Sequence, residues 1–460
     1  MSEGQSPQNR FLQAPPAKIF AQTAVPMILI MLMNGMLHVV DAAFLGHFVG
    51  AEAMSAIGVV FPLTMILIAL STLVSGGMSS LMARQLGAGA QDAAETTFAR
   101  AHGLALTIAA VLIALQLLFG HSMINALSGG DPVIARMAYA FLTIVVLTTP
   151  VQFLLGIHAD TCRNEGRAGM MAMMSLGVTL ANIALNYLFI AVFDWGVAGS
   201  AMGSTVAQIF GLSLLVFLRE RAGTRLPITA LGRHSWRGGW KTIAGLGAPL
   251  SLSFIGVALS AFSAILAIRL TAGAAYAETV AAYGLVTRLM GFVFLPMMAM
   301  ALATQSIVGN NAGAGQMDRV RQVLRIALGT ALVYSLAVQI VFFLTGESLG
   351  RAFVDDPAVV AMVGTIIRPM TGFYLFTGPV LVLALYFQAL GKPAQAALLT
   401  LVKPYLLVPA GIALAASQWG TTGIWYIYPV VDAVIAVIAG LVFSANSRSA
   451  APATLQGAQP

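Results

Sequence analysis

Charge is what this chain has least of. Only 8% of its 460 residues are Asp, Glu, Lys or Arg, against about a quarter in a typical soluble domain. A chain this long with so little charge cannot cover itself with polar surface, which excludes a soluble globular protein. Cysteine is nearly missing too. Cys162 stands alone, so no internal disulfide forms and the fold needs no oxidising compartment. It reads as a small apolar residue near a helix end. The patterns of catalysis are also missing: no His-Glu-x-x-His, no Gly-x-Ser-x-Gly and no Cys/His ligand cluster. The glycine-rich stretch at 309–315 lacks the Lys-Ser/Thr pair of a phosphate-binding loop. Neither an enzyme nor a bound cofactor is expected.

What is there is apolar. Hydrophobic residues make up 59% of the chain and the mean hydropathy is +0.89. That is an integral membrane protein. A barrel alternates polar and apolar residues and would be less apolar, so the class is all-α. Runs long enough to cross a bilayer fall near 19–45, 52–82, 97–120, 132–160, 169–192, 199–219, 242–268, 278–308, 319–345, 357–389, 394–416 and 421–444. Twelve transmembrane helices are expected. Arg10 and Lys18 precede the first run, but it is too long for a signal peptide and lacks a clean cleavage site. It reads as an uncleaved first helix.

Lys and Arg gather in alternate loops, "RQLGAGAQDAAETTFAR", "RNEGRAG", "RERAGTRLPITALGRHSWRGGWK", "GQMDRVRQVLR" and "GKPAQ". The positive-inside rule makes these loops and both termini cytoplasmic, in a bacterial inner membrane. The net charge of +7 is thus a topology signal and not a nucleic-acid surface. The lipid bilayer and a small molecule are the expected partners of a monomer.

The halves repeat. "AIGVV" at 56–60 returns as "AYGLV" at 282–286, and "GAG" at 87–89 as "GAG" at 313–315. "GGDP" ending at 132 returns as "VDDP" ending at 357, and "WGVAG" at 195–199 as "WGTTG" at 419–423. Five matches in order, at an offset of 224–226 including "EGRAGMMAMMSL" against "LGKPAQAALLTL", divide the chain into two pseudo-symmetric six-helix lobes. The expected layout is a tail at 1–16, a lobe at 17–219, a basic linker at 220–241, a lobe at 242–445 and a tail at 446–460. The ends, 1–10 and 446–460, read as disordered.

The polar residues of the spans are unequally shared. Asn34, His38 and Asp41 lie on one face of the first helix. Asn182 and Asn186 share a face of the fifth, and Ser204 and Gln208 a face of the sixth. The counterparts of Asp41, in "AILA" (264–267), and of Asn182 and Asn186, in "LLVPAG" (406–411), are apolar. A charge within a membrane costs about 2.5–3.5 kcal/mol on insertion scales, so Asp41 needs a partner, a cavity or a change of protonation. In the second half Arg288 and Asp432 are the obvious buried charges, candidates for a structural pair or for the cavity. Pro26 interrupts the first helix's hydrogen-bond ladder and reads as a hinge or a static kink. The "RNEGR" run with Asp160 upstream reads as a solvated turn, with a gate as the sharper alternative. The 23 methionines suit either a promiscuous cavity or a lipid-facing surface.

Twelve helices in two repeats, the acid within "VVDAAFLGHFVGAEAMSAIG", "RQLGAG" after the second helix and "WGVAG" after the fifth resemble the multidrug and toxic compound extrusion (MATE) transporters, over about 17–445. The resemblance implies two lobes around a central cavity and secondary active export of amphipathic, often cationic compounds against H⁺ or Na⁺. It maps coupling roles onto Asp41, Asn182 and Ser204. Asn186 departs from the pattern, since many members carry an aspartate there. The second-half acids of another branch are missing as well. A single carboxylate favours H⁺; Na⁺ at Asp41, Asn182 and Asn186 stays open. The alternatives are a lipid-linked oligosaccharide flippase of the same superfamily and, in another class, a non-catalytic membrane subunit.

Overall fold

The computed structural model describes residues 9–448, apart from the side chains of His38, Ala43, Ser447 and Arg448. The tail residues 1–8 and 449–460 lie outside it. All regular elements among the described residues are helices: α1 (Arg10–Gln13), α2 (Pro16–Phe48), α3 (Ala51–Gly87), α4 (Gln91–Leu127), α5 (Pro132–Leu147), α6 (Thr149–Asn164), α7 (Ala168–Asn186), α8 (Gly196–Arg221), α9 (Ala230–Arg233), α10 (Trp240–Thr271), α11 (Tyr276–Gly313), α12 (Met317–Arg351), α13 (Pro357–Met370), α14 (Thr377–Ala389), α15 (Pro393–Val402) and α16 (Val408–Arg448). Among the described residues nine helices are long and apolar enough to cross a membrane unaided. Two bent pairs, α5–α6 at 48° and α13–α14 at 56°, bring the number to eleven. The last of these runs over 54 residues, Pro393–Asn446, but is not straight. Gly420 takes a non-helical conformation, and a Cβ on Gly411 would lie 2.4 Å from the Ile427 side chain. In a straight helix those residues stand about 24 Å apart. The chain therefore folds back at Gly420, and the segments on its two sides pack against each other.

Sequence repeats become repeated local structures. Asp131 accepts the N–H of Val133 and Ile134 at the start of α5, and Asp356 accepts that of Ala358 at the start of α13. In each, a proline follows as the first helical residue, where no N–H is needed. Gly89 (φ 71°) and Gly315 (φ 73°) end α3 and α11 in the left-handed turn that glycine tolerates. The two breaks, near Thr148 and at 371–373, fall in spans that read as unbroken from the sequence.

The halves meet along a seam at the end of the bundle carrying the basic loops. There α3 lies backbone to backbone against α10 and α11. A Cβ on Gly77 would sit 1.9 Å from Ile243 O, one on Gly87 1.9 Å from Asn310 O, and one on Gly247 1.9 Å from Leu73 O. Polar side chains stitch the seam. Arg163 Nη2 donates to Ser79 Oγ (2.8 Å) and Gln305 Oε1 (3.2 Å), and Ser306 Oγ to Asn164 Oδ1 (2.7 Å). Gln305 Nε2 donates to Gln388 Oε1 (3.0 Å), and Arg84 Nη1 to Ala389 O (2.7 Å). Arg163 is 1% exposed and paired with Asp160 at 3.2 Å. The "RNEGR" run is thus no solvated turn: its arginine and asparagine are buried between the lobes. The hydrogen bonds between the lobes among the described residues gather at this end.

One further expectation is corrected. The N-terminal end, read as disordered over 1–10, is ordered from Asn9, and Phe11 next to it is fully buried. The linker packs too, with Leu226 and Ala230 fully buried. Fully buried side chains supply the reason: apolar surface in these short segments is covered at the seam and against α4.

Gly87→Ala tests the seam. Overpacking costs about 1–3 kcal/mol, and here the cost falls on the conformation closed at the basic end. Labelling of a single cysteine placed in the seam is expected to rise about tenfold or more. Gly284→Ala, where a Cβ meets nothing within 4 Å, is expected to leave labelling unchanged.

Candidate functional site

Far from the seam, α2, α7 and α8 bring together the polar residues of the first half. Asn186 Nδ2 donates to Asp41 Oδ1 at 2.5 Å and to Asn182 Oδ1 at 3.1 Å. Asn182 Nδ2 donates onward to Ser204 Oγ at 2.9 Å. Asn182 is 1% exposed, Asn186 is fully buried, and Asp41 is half-buried on the open side. One chain of hydrogen bonds thus joins three helices and ends on a carboxylate. Local sequence builds it: a spacing of four places Asn182 and Asn186 on one face of α7. Gly203 lets α8 approach, since a Cβ there would lie 2.3 Å from Asn186 Oδ1. Directly after Asn186 the helix widens into a π turn, Tyr187–Val192, a distortion common at functional sites.

Asp41 has a neutral amide as its hydrogen-bond partner and no cation in a salt bridge among the described residues. Asn186 Oδ1 is buried with no donor, an arrangement that native interiors rarely leave without a use. Beside the chain, Thr205 Oγ1 donates to Thr148 Oγ1 at 3.2 Å, so the break between α5 and α6 is pinned next to Ser204. Neither Thr148 nor its break shows in sequence periodicity.

The supporting candidates divide. Asn34 is exposed and receives a hydrogen bond from Ser175 Oγ at 3.3 Å, about two turns from Asp41. Gln208 is half-buried and joins no hydrogen bond among the described residues. The His38 side chain lies outside the described residues. Arg288 and Asp432 do not pair. Asp432 is 3% exposed and bound to Lys403, which opens a second π turn, Lys403–Leu407. Arg288 is exposed. It stands about 140° round α11 from the buried Tyr283, whose hydroxyl meets Tyr428 at 3.3 Å, one turn from Asp432. It shares instead the face of Phe292 and Leu295, whose side chains approach Gly35 of α2. Lys403 went unseen because, ten residues past a basic loop, it reads as part of the helix end.

Pro26 lies where α2 changes partners. Ile19, Phe20, Ala24 and Met27 belong to the core of the second half with Met297 and Val308. Ile30 packs with Cys162, Met171, Met174 and Leu215, and Leu45 with Ile190 and Val197. The helix begins to pack in the first lobe about a turn beyond the proline.

Comparison with known proteins identifies the class. The MatE family matches residues 26–188 and again 249–411, two stretches offset by 223 residues. The chain belongs to the MatE family of multidrug membrane transporters. It is 24% identical over 434 residues to an FAD transporter of Shewanella oneidensis, covering 93% of this chain and 94% of that one. It is 21% identical over 420 residues to the multidrug export protein MepA of Staphylococcus saprophyticus, covering 91% of each. A solved outward-facing multidrug resistance MATE family transporter of the MOP superfamily superposes with a TM-score of 0.89 at 21% identity, over 97% of this chain and 99% of that one. A MOP superfamily transporter from Pyrococcus furiosus, described as having a binding pocket of reverse polarity, gives 0.89 at 20%, with the same coverage.

Gly203→Ala tests the geometry without touching a polar group. It pushes on Asn186, at an overpacking cost of about 1–3 kcal/mol, and is expected to lower transport about tenfold in proteoliposomes at matched protein. Equal activity to wild type would show that the position of the Asn186 amide is immaterial.

Proposed function

We propose that this transporter exports amphipathic or cationic small molecules from a bacterial cytoplasm across the inner membrane, by antiport against protons that bind at Asp41. The observation that carries this reading is the hydrogen-bond chain from Asp41 through Asn186 and Asn182 to Ser204, built on three helices of one lobe. The basic loops favour a cytoplasmic seam and cytoplasmic termini under the positive-inside rule; on that reading a cleft between the lobes opens outward and Asp41 is reached from outside.

The chemistry follows from donors and acceptors. An ionised Asp41 only accepts, and Asn186 Nδ2 supplies the donor. A proton on Asp41 turns one of its oxygens into a donor. The nearest idle acceptor belongs to Asn186, whose Oδ1 lacks a partner. Presenting that oxygen requires the amide to turn over, which breaks its bond to Asn182 and presses its NH₂ on Gly203. Protonation on α2 is thereby felt on α7 and α8. Substrate release outward accompanies that rearrangement, since only differential binding to the two states shifts their populations.

The idle oxygen also supports a second reading for the ion. With Asp41 and Asn182 Oδ1 it offers three oxygens to Na⁺. The lone carboxylate and the ready donor-to-acceptor switch favour the proton. For the substrate, the name of the Shewanella relative raises an aromatic anion, and the exposed Arg288 is a cation that such a molecule would use. The flippase alternative is less favoured, because Lys403 is neutralised by Asp432. A non-catalytic subunit has no use for the buried polar chain.

In proteoliposomes, an imposed proton gradient is expected to drive a lipophilic cation without Na⁺. Transport that follows a Na⁺ gradient and ignores ΔpH would replace the proton by sodium. Asp41→Asn is expected to keep expression and substrate binding but lose gradient-driven transport altogether. An exposed polar swap costs under about 0.5 kcal/mol and would leave transport intact, whereas a broken structural ion pair would cost about 3–5 kcal/mol and reduce the folded protein.

A further inference from the structure

The segment before the first membrane helix lies across the seam, and the coupling chemistry above makes no use of it. We infer that residues 9–14 form a strap that holds the seam shut and parts from the first lobe whenever the inner face opens.

Its contacts reach both lobes. Asn9 accepts the Phe11 N–H at 3.2 Å, capping α1, and donates Nδ2 to Asn310 Oδ1 at 2.8 Å. Asn311 Nδ2 donates to Phe11 O at 3.2 Å. Arg319 Nη2 donates to Phe11 O at 3.1 Å and to Ala14 O, while its Nε is held by Asn311 Oδ1 at 3.0 Å. One guanidinium of the second lobe thus satisfies the carbonyls that the end of a helix leaves free. On the other side, the Phe11 ring and Arg10 Cβ stand 3.6 and 4.0 Å from where a Cβ of Gly166 would be. That glycine lies in the turn between α6 and α7 of the first lobe. Asn310 Nδ2 reaches the same turn at Asn164 O, 3.4 Å away.

A four-residue helix does not persist alone in water. α1 is therefore ordered by the walls it lies between, and those walls belong to lobes that separate when the seam opens. Apart from a long one from Arg10 Nη2 to Gln22 Oε1 at the start of α2 (3.5 Å), the strap's side-chain hydrogen bonds to the rest of the protein are to the second lobe; contact with the α6–α7 turn of the first is van der Waals packing of Phe11 and Arg10. The weaker side parts first. The strap then travels with Asn310, Asn311 and Arg319, together with α2 as far as Met27, which is packed in the second lobe's core. From Ile30 on the same helix also packs in the first lobe, while Gly35 still meets Leu295 of α11, and further along it carries Asp41. Strap and lower α2 form one lever, bending at Pro26, that ties the inner seam to the helix of the ion site.

Cross-linking tests this in the Cys162→Ser background. In Arg10→Cys/Gly166→Cys the Cβ separation suits a disulfide that fastens the strap to the first lobe. Oxidation is expected to stop transport in proteoliposomes, and dithiothreitol to restore it. In Asn9→Cys/Asn310→Cys, a methanethiosulfonate cross-linker fastens the strap to the second lobe, and bridged and unbridged protein are expected to transport equally. Full transport by the oxidised 10/166 variant overturns the proposal, and so does arrest by the 9/310 bridge. A second readout needs neither transport nor a coupling ion. Spin labels at the exposed Glu52 and Glu278, at the open end of the two lobes, report the width of the cleft. Phe11→Ala is expected to raise the population with the narrow cleft at least twofold over wild type. An unchanged distance distribution would show that Phe11 does not hold the seam.

Discussion

Direct backbone contact between α3 and the first helices of the second lobe sets the state of the whole molecule. With a Cβ on Gly77, Gly87 or Gly247 overlapping a carbonyl oxygen across the seam, the lobes have no room for side chains there. At that separation the polar groups of Arg163, Asn164, Ser79, Gln305 and Gln388 find each other. Buried donors and acceptors are costly when unpaired, so the network adds stability only while the backbones touch. Parting the lobes by one side chain's width strands several groups at once. The seam is therefore closed or open, with little in between, which is the discreteness an alternating carrier requires.

Contact at one end forces separation at the other, and α2 translates between them. Its lower third, which ends near Pro26, is packed in the second lobe and its upper third in the first, with a middle stretch that touches both. A helix held by two bodies bends when they move, and it bends where its ladder of hydrogen bonds is already interrupted. Asp41 sits about four turns beyond that point. A change at Asp41 alters the hold of α2 on α7 through Asn186, and a change at the seam alters its hold on α11 through Met27. Both biases act on one two-state element, the physical basis for coupling distant sites.

The periodic features were legible in the sequence. Apolar runs gave the passes, alternate basic loops the shared end, and the repeat the two halves. Spacings of three and four gave the faces on which Asp41, Asn182, Asn186 and Ser204 lie. Whatever depends on a residue's neighbours across the seam was not. Glycine has no side chain to signal that a backbone will press on it, so Gly87 looked like a turn residue. Arg163 looked solvated because its partners Ser79 and Gln305 lie 84 and 142 residues away. Phe11 looked like part of a polar tail because one aromatic residue forms no period. Lys403 was hidden for the opposite reason, since a basic loop nearby supplied a sufficient explanation.

Asp41 and Asp432 are held in contrasting ways, and on the proposed function the contrast is why coupling falls to Asp41. Asp432 is matched by Lys403, so the pair is neutral as a unit; a proton added to Asp432 would leave an ammonium uncompensated. Breaking such a pair is unfavourable in either direction, and it serves as a fixed strut between two passes. Asp41 is matched by an amide. A proton arriving there removes a charge that no salt bridge among the described residues balances, and it converts an acceptor into a donor facing a group that holds both kinds of atom. Asn186 is what makes the exchange reversible. A second carboxylate at its position would repel the first and share its proton, splitting one event into two coupled titrations. An amide carries no charge of its own, so on the proposed proton reading the state of the site is set by one proton on Asp41 and read out by which end of Asn186 faces it.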